Sequence, residues 1–269
     1  MLLSEQEHIQ AILPVMQLLA GNTTVITGQT DFRGAAGTVN VNDTGTLAAV
    51  ISSAATNSNL VFLGGGNVTG VINNIGAITV NAAGNKTVIL QKSVSATSLT
   101  LGNNAVANLQ DSLTTSGNVD FTNGGVLEFS GANPADYLLN SQIKNGNTGT
   151  LNVYTTGTTL TATDSSIGMV NTINIGQGNA VAAFTIDVSN KALTLGSAIN
   201  LNNTKSVFGL TTSKNQQVTF MNSVDGFAGG GGSVNLSSTS STIPNNNVLT
   251  LQGNLGNETL AQRQISLLL

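Results

Sequence analysis

The stretch LTLGNNAVANLQDSLTTSGNVDFTNGGVLEF, residues 99–129, carries four apolar–X–apolar triplets: Leu99-Thr100-Leu101, Ala107-Asn108-Leu109, Val119-Asp120-Phe121 and Leu127-Glu128-Phe129. Successive side chains of a strand point to opposite faces, so each triplet sets two apolar groups on one face and a polar one on the other. The first and third triplets start 20 residues apart, as do the second and fourth. Upstream, the first series continues back through Ile78/Val80, Leu60/Phe62 and Val39/Val41, and the second through Val88/Leu90 and Val68. A short strand about every ten residues, in a unit of about twenty, predicts stacked coils rather than a closed globule.

Between the pairs stand Gly64-Gly65-Gly66-Asn67, Gly102-Asn103-Asn104 and Asn123-Gly124-Gly125. These residues tolerate left-handed backbone and mark corners. Residues 132–149 break the beat. There Pro134-Ala135-Asp136-Tyr137-Leu138-Leu139 reads as the start of a helical turn and Asn145-Gly146-Asn147 as a loop, together an insertion or a domain joint. The pattern resumes with looser spacing at Leu151/Val153, Ile173/Ile175, Phe184/Ile186, Leu193/Leu195, Ile199/Leu201, Val218/Phe220, Val234/Leu236 and Leu249/Leu251. Residues 229–232, four glycines, read as a bend.

The expected fold class is therefore all-β: a single-stranded parallel β-solenoid, or β-helix, with about 20 residues per rung and some twelve rungs. Short helical segments are expected at its ends. Residues 1–21 read as an amphipathic helix capping the coil, with Ser4 and Glu7 as a capping box and Pro14 as a kink. Residues 22–257 form the solenoid, and residues 258–269 a helix-compatible tail behind Asn257, ending in three leucines as if truncated. Asn ladders at the corners are expected to bond rung to rung. A transmembrane barrel needs aromatic girdles, and ten aromatics with no Trp and two Tyr do not supply them.

Composition narrows the function. Charged residues are 7% of the 269, against about 25% in ordinary domains, and polarity comes from 35 Asn, 35 Thr, 24 Ser and 31 Gly. Net charge is −4 and the only arginines are Arg33 and Arg263, which excludes nucleic-acid binding and polybasic membrane attachment. Without cysteine there are no disulfides, thiolate metal sites or cysteine nucleophiles. The start is not a secretory signal, because Glu5 and Glu7 stand where basic residues belong. Its apolar run is too short to span a bilayer.

No catalytic, cofactor or metal residue emerges. The single histidine, His8, lies in the cap region, outside the repeat where a Ser-His-Asp triad would have to assemble. Asp120 and Glu128 are the carboxylates to weigh for a carbohydrate-active solenoid, which needs two flanking one sugar bond. Each sits between inward apolar neighbours and should point to solvent. Residues 229–232 lack the acid of a calcium-binding glycine repeat. Gly176-Gln177-Gly178-Asn179-Ala180-Val181 lacks the third glycine of a dinucleotide fingerprint and reads as a corner. Seven Asn-X-Ser/Thr sequons, at Asn22, Asn42, Asn67, Asn85, Asn202, Asn235 and Asn257, match what this composition yields by chance.

Several phrases carry a family resemblance. Gly70-Val71-Ile72-Asn73-Asn74-Ile75-Gly76-Ala77-Ile78-Thr79-Val80-Asn81, Ser98-Leu99-Thr100-Leu101-Gly102, Ala192-Leu193-Thr194-Leu195-Gly196 and Gly124-Gly125-Val126-Leu127-Glu128-Phe129 resemble passenger segments of rickettsial outer-membrane autotransporters, the surface antigens of the outer membrane protein A and B group. The resemblance spans roughly residues 22–255. It implies display at the bacterial cell surface or outer membrane, a translocator barrel encoded elsewhere, no cofactor, and adhesion to a host cell-surface protein or glycan. The alternatives are a structural stalk or surface-layer segment, and a carbohydrate-active β-helix enzyme.

Overall fold

The computed structural model describes residues 25–251 apart from 34, 43–44, 53–56, 82–85, 103, 123, 132–134, 179, 189–191, 213–216, 227–231 and 239–247, together with Met16–Leu18 and Ile265–Leu267. Strand accounts for 63% of the chain, and every pairing between strands is parallel. The fold is a β-solenoid with about 22 residues per rung and about eight turns, fewer than the twelve expected. Each turn is longer because it holds a third strand that the pair-counting misses. The chain divides into two compact units, Met1–Leu127 and Glu128–Leu269.

In the first unit three stacks of strands alternate along each turn. The first stack joins Gly37–Val41, Ser58–Phe62 and the later halves of Ile72–Val80, Val94–Leu101 and Leu113–Phe121. Its register runs Val39 to Leu60 to Ile78 to Leu99 to Val119, the expected first series, residue for residue. The second stack joins Gly66–Val68, Thr87–Leu90 and Val106–Leu109, with Val68, Leu90 and Leu109 in line. The third runs Val50, Ile72, Val94, Leu113 through Thr46–Ile51 and the early halves of the three long strands. All of these inward residues are buried, each giving roughly 1.5–3 kcal/mol of transfer free energy.

The long strands turn from the third stack into the first at register shifts. One lies between Ile72 and Ile75, where Asn74 adopts φ 59 and its Nδ2 donates to the Ser52 carbonyl of the turn before (3.0 Å). A bulge of this kind bends the strand without ending it. Close stacking also demands glycine. A Cβ on Gly70 would lie 2.1 Å from the Ala48 carbonyl oxygen, so no side chain fits there.

In the second unit the third stack is a separate sheet of Leu193–Leu195, Gln217–Phe220 and Val248–Leu251. The 3-10 turn Ser165–Met169 lies one turn earlier against Leu193–Leu195 and is capped by Asp164, whose Oδ1 accepts from Ser166 N (2.8 Å). The first stack runs Tyr137, Leu160, Phe184, Phe208, Val234 and the second Leu151, Ile173, Ile199, Val224. Rings gather in this lumen. Phe208 lies 6.0 Å from Phe184 and 6.3 Å, edge-on, from Phe220, geometry that adds to burial.

Three expectations need correction. Tyr137–Lys144 is an eight-residue strand rather than a helical turn, because Tyr137 and Leu139 alternate inward with the stack. A 3-10 turn, Gly146–Thr148, follows it. The described parts of both ends are strands, not helices: Met16–Leu18 pairs with Val39–Val41 register, and Ile265–Leu267 with Val234 to Leu236. An exposed sheet edge pairs more readily with another strand than with a helix, since only a strand satisfies its open N–H and C=O groups. The rest of the expected end helices lies outside the described residues, as do four of the glycines around 229–232, save Gly232.

Candidate functional site

Asp120 and Glu128 both project from strand faces between buried neighbours, as their triplets require. Asp120 Oδ1 accepts from Thr122 Oγ1 (3.0 Å). Glu128 Oε2 accepts from Asn152 Nδ2 (3.2 Å) and lies near Tyr154, whose phenol is pushed above its ordinary range by burial and then by the Glu128 charge. The two carboxylates belong to different units. His8 and Arg263 lie outside the described residues. Arg33 sits in a corner at φ 50, its backbone N–H held by Asp31 Oδ1 (2.7 Å). Among the described residues no group of three or more His, Asp or Glu is placed to hold a metal ion. None of the helices there is long and apolar enough to cross a membrane.

The feature that pair-counting missed is a line of side chains in the second unit. Asn152, Asn174 and Asn200 are the middle residues of Leu151-Asn152-Val153, Ile173-Asn174-Ile175 and Ile199-Asn200-Leu201, and register puts them directly above one another. Asn174 Nδ2 donates to Asn152 Oδ1 (2.9 Å) and Asn200 Nδ2 to Asn174 Oδ1 (2.8 Å). Glu128 closes one end, and Asp225 stands in register with Asn200 at the other. The signal was available in the sequence, since the same X position recurs as Glu, Asn, Asn, Asn, Asp. The ladder lies on strand faces rather than at corners. Corner asparagines instead donate to backbone carbonyls of the preceding turn, Asn203 to Gly178 (2.8 Å) and Asn222 to Gly196.

A groove of about 450 Å³ opens on the third stack of the first unit, lined by Val71, Asn73, Ser93, Ser95, Ser112 and Thr114 among others. Its polar groups are hydroxyls and a carboxamide, suited to hydrogen bonding rather than acid–base work. The Gly176 segment is a corner, with Gly176 and Gly178 at positive φ and Gln177 bridged to Ala180.

Stacked, in-register strands with a polar, largely uncharged exterior define a parallel β-solenoid protein. Comparison with family models, curated proteins and solved structures finds no match to the chain.

Proposed function

We propose that the chain is a non-catalytic segment of a bacterial surface-displayed autotransporter passenger that adheres to host cells. The observation that carries the reading is the repeated display of uncharged hydrogen-bonding groups, of which the Asn152, Asn174 and Asn200 line is the longest run. Such a surface makes many weak contacts spaced by the strand separation of about 4.8 Å, so binding strength comes from their number. The short phrases shared with rickettsial passengers supply the surface location and the partner class, a host protein or glycan.

A second reading, a stalk without its own receptor, is favoured by the ladder amides directing their bonds to one another rather than outward. Labelled purified chain should bind host cells saturably, and excess unlabelled chain should compete. Binding that never saturates selects the stalk. Saturable polysaccharide turnover, lost in Asp120→Asn or Glu128→Gln, would overturn both readings.

A further inference from the structure

The Glu128 carboxylate fixes the direction of the whole amide ladder. An ionised carboxylate only accepts hydrogen bonds, so Asn152 must present Nδ2 to it and turn Oδ1 toward the next rung. Asn174 and Asn200 must then follow the same orientation, as they do. The last carbonyl, Asn200 Oδ1, is thereby delivered to the rung that holds Asp225, a second group that only accepts. A row of amides between two acceptors always leaves one acceptor–acceptor contact, whatever its length. Here that contact falls between Asn200 and Asp225, on adjacent strands about 4.8 Å apart. Among the described residues the one donor to Asp225 is Ser223 Oγ, 3.0 Å from Oδ2, and Lys205 forms no ion pair with it.

We propose that a hard divalent cation of the calcium type binds at this end, held by Asn200 Oδ1, the Asp225 carboxylate and Ser223 Oγ, with water completing the shell. Oxygen-only ligands and a single carboxylate match the calcium chemistry of weak sites, with Kd on the order of 10⁻⁴–10⁻³ M. The cation turns two mutually repelling acceptors into ligands of one centre. The argument stands on the ladder alone and not on the adhesive role proposed above.

Two substitutions test it from opposite ends. Asp225→Asn supplies a donor to Asn200 Oδ1 and removes the charge. Glu128→Gln, four rungs and about 19 Å away, supplies a donor at the other end, so every amide can flip and Asn200 Nδ2 can donate to Asp225. Calcium titration calorimetry on the intact chain should show one weak site, and about 10 mM CaCl2 should raise Tm by about 2–4 °C over NaCl of equal ionic strength. Both variants should fold, judged by far-ultraviolet circular dichroism, and both should lose the calcium response. A wild-type chain indifferent to calcium overturns the proposal, and so does a calcium response retained by either variant. If one variant does not fold, the other decides.

Discussion

The first unit advances 18–22 residues from a strand to its partner one turn on, and the second 22–31, yet both keep their strands parallel and in register. Extra residues in the second unit go into corners, not strands. Lengthening a corner costs little, about 0.6 kcal/mol for each doubling, whereas slipping a strand by one residue turns its whole apolar set to water. In the shorter turns the chain runs from the third stack into the first as one bent strand. In the longer turns it is released between them, and the third stack becomes its own sheet. Wider turns also enclose larger side chains, as the Phe184, Phe208 and Phe220 cluster shows.

The contrast can be broken most severely at Phe208, fully buried between two other rings. Phe208→Ala should cost about 3–5 kcal/mol, read as a lowered urea midpoint. Because coils couple mainly to their neighbours, hydrogen exchange should rise chiefly in the second unit. If it rises equally in both, the units are one cooperative block. Gly70→Ala probes the tighter turns of the first unit. Its Cβ would meet the Ala48 backbone, and an overpacking cost of about 1–3 kcal/mol is expected from the same titration. Gly157, by contrast, has open space around it and only a φ of +75 to satisfy, so Gly157→Asn should be near neutral.

Smaller effects sharpen the picture. Thr115 is 7% exposed and its Oγ1 has no partner among the described residues, so Thr115→Val should stabilise by about 1 kcal/mol. A loss of stability there would mean that the hydroxyl is satisfied. Asn174→Ala interrupts the half-exposed ladder and should cost about 0.5–1 kcal/mol by thermal melting. The least change concerns Tyr154. Its phenol keeps its proton to higher pH in the folded chain than in the unfolded one, so unfolded chain releases protons first and stability falls as pH rises through the alkaline range. Tyr154→Phe should flatten that decline above about pH 10 and change nothing at neutrality.

Two of the three stacks in the first unit were legible in the sequence because their inward positions come as apolar pairs: Val39/Val41, Leu60/Phe62 and Val88/Leu90 among them. The third was hidden. Its inward residues are Ile72 and Ile75 on one rung, Val94 and Ala96 on the next, Leu113 and Thr115 on the last, and the bulge after Ile72 breaks the two-residue period. Small or polar lumen residues such as Ala96 and Thr115 fit only because neighbouring rungs fill the space, which no single-strand pattern reveals. In the second unit the pairs Leu193/Leu195 and Val218/Phe220 were visible, but not that they form a sheet of their own. The ladder escaped notice because polar X positions look interchangeable until register lines them up.

Corners of unequal length joined to strands of fixed phase have a genetic consequence. Codons can be gained or lost at a corner in any number with little penalty, and a whole winding can be duplicated without remodelling its neighbours. A single codon removed inside Ile173-Asn174-Ile175 would instead turn greasy groups outward and put a carboxamide into the interior. Variation among natural versions of this gene should therefore pile up in the Gly- and Asn-rich bends and nearly vanish between them.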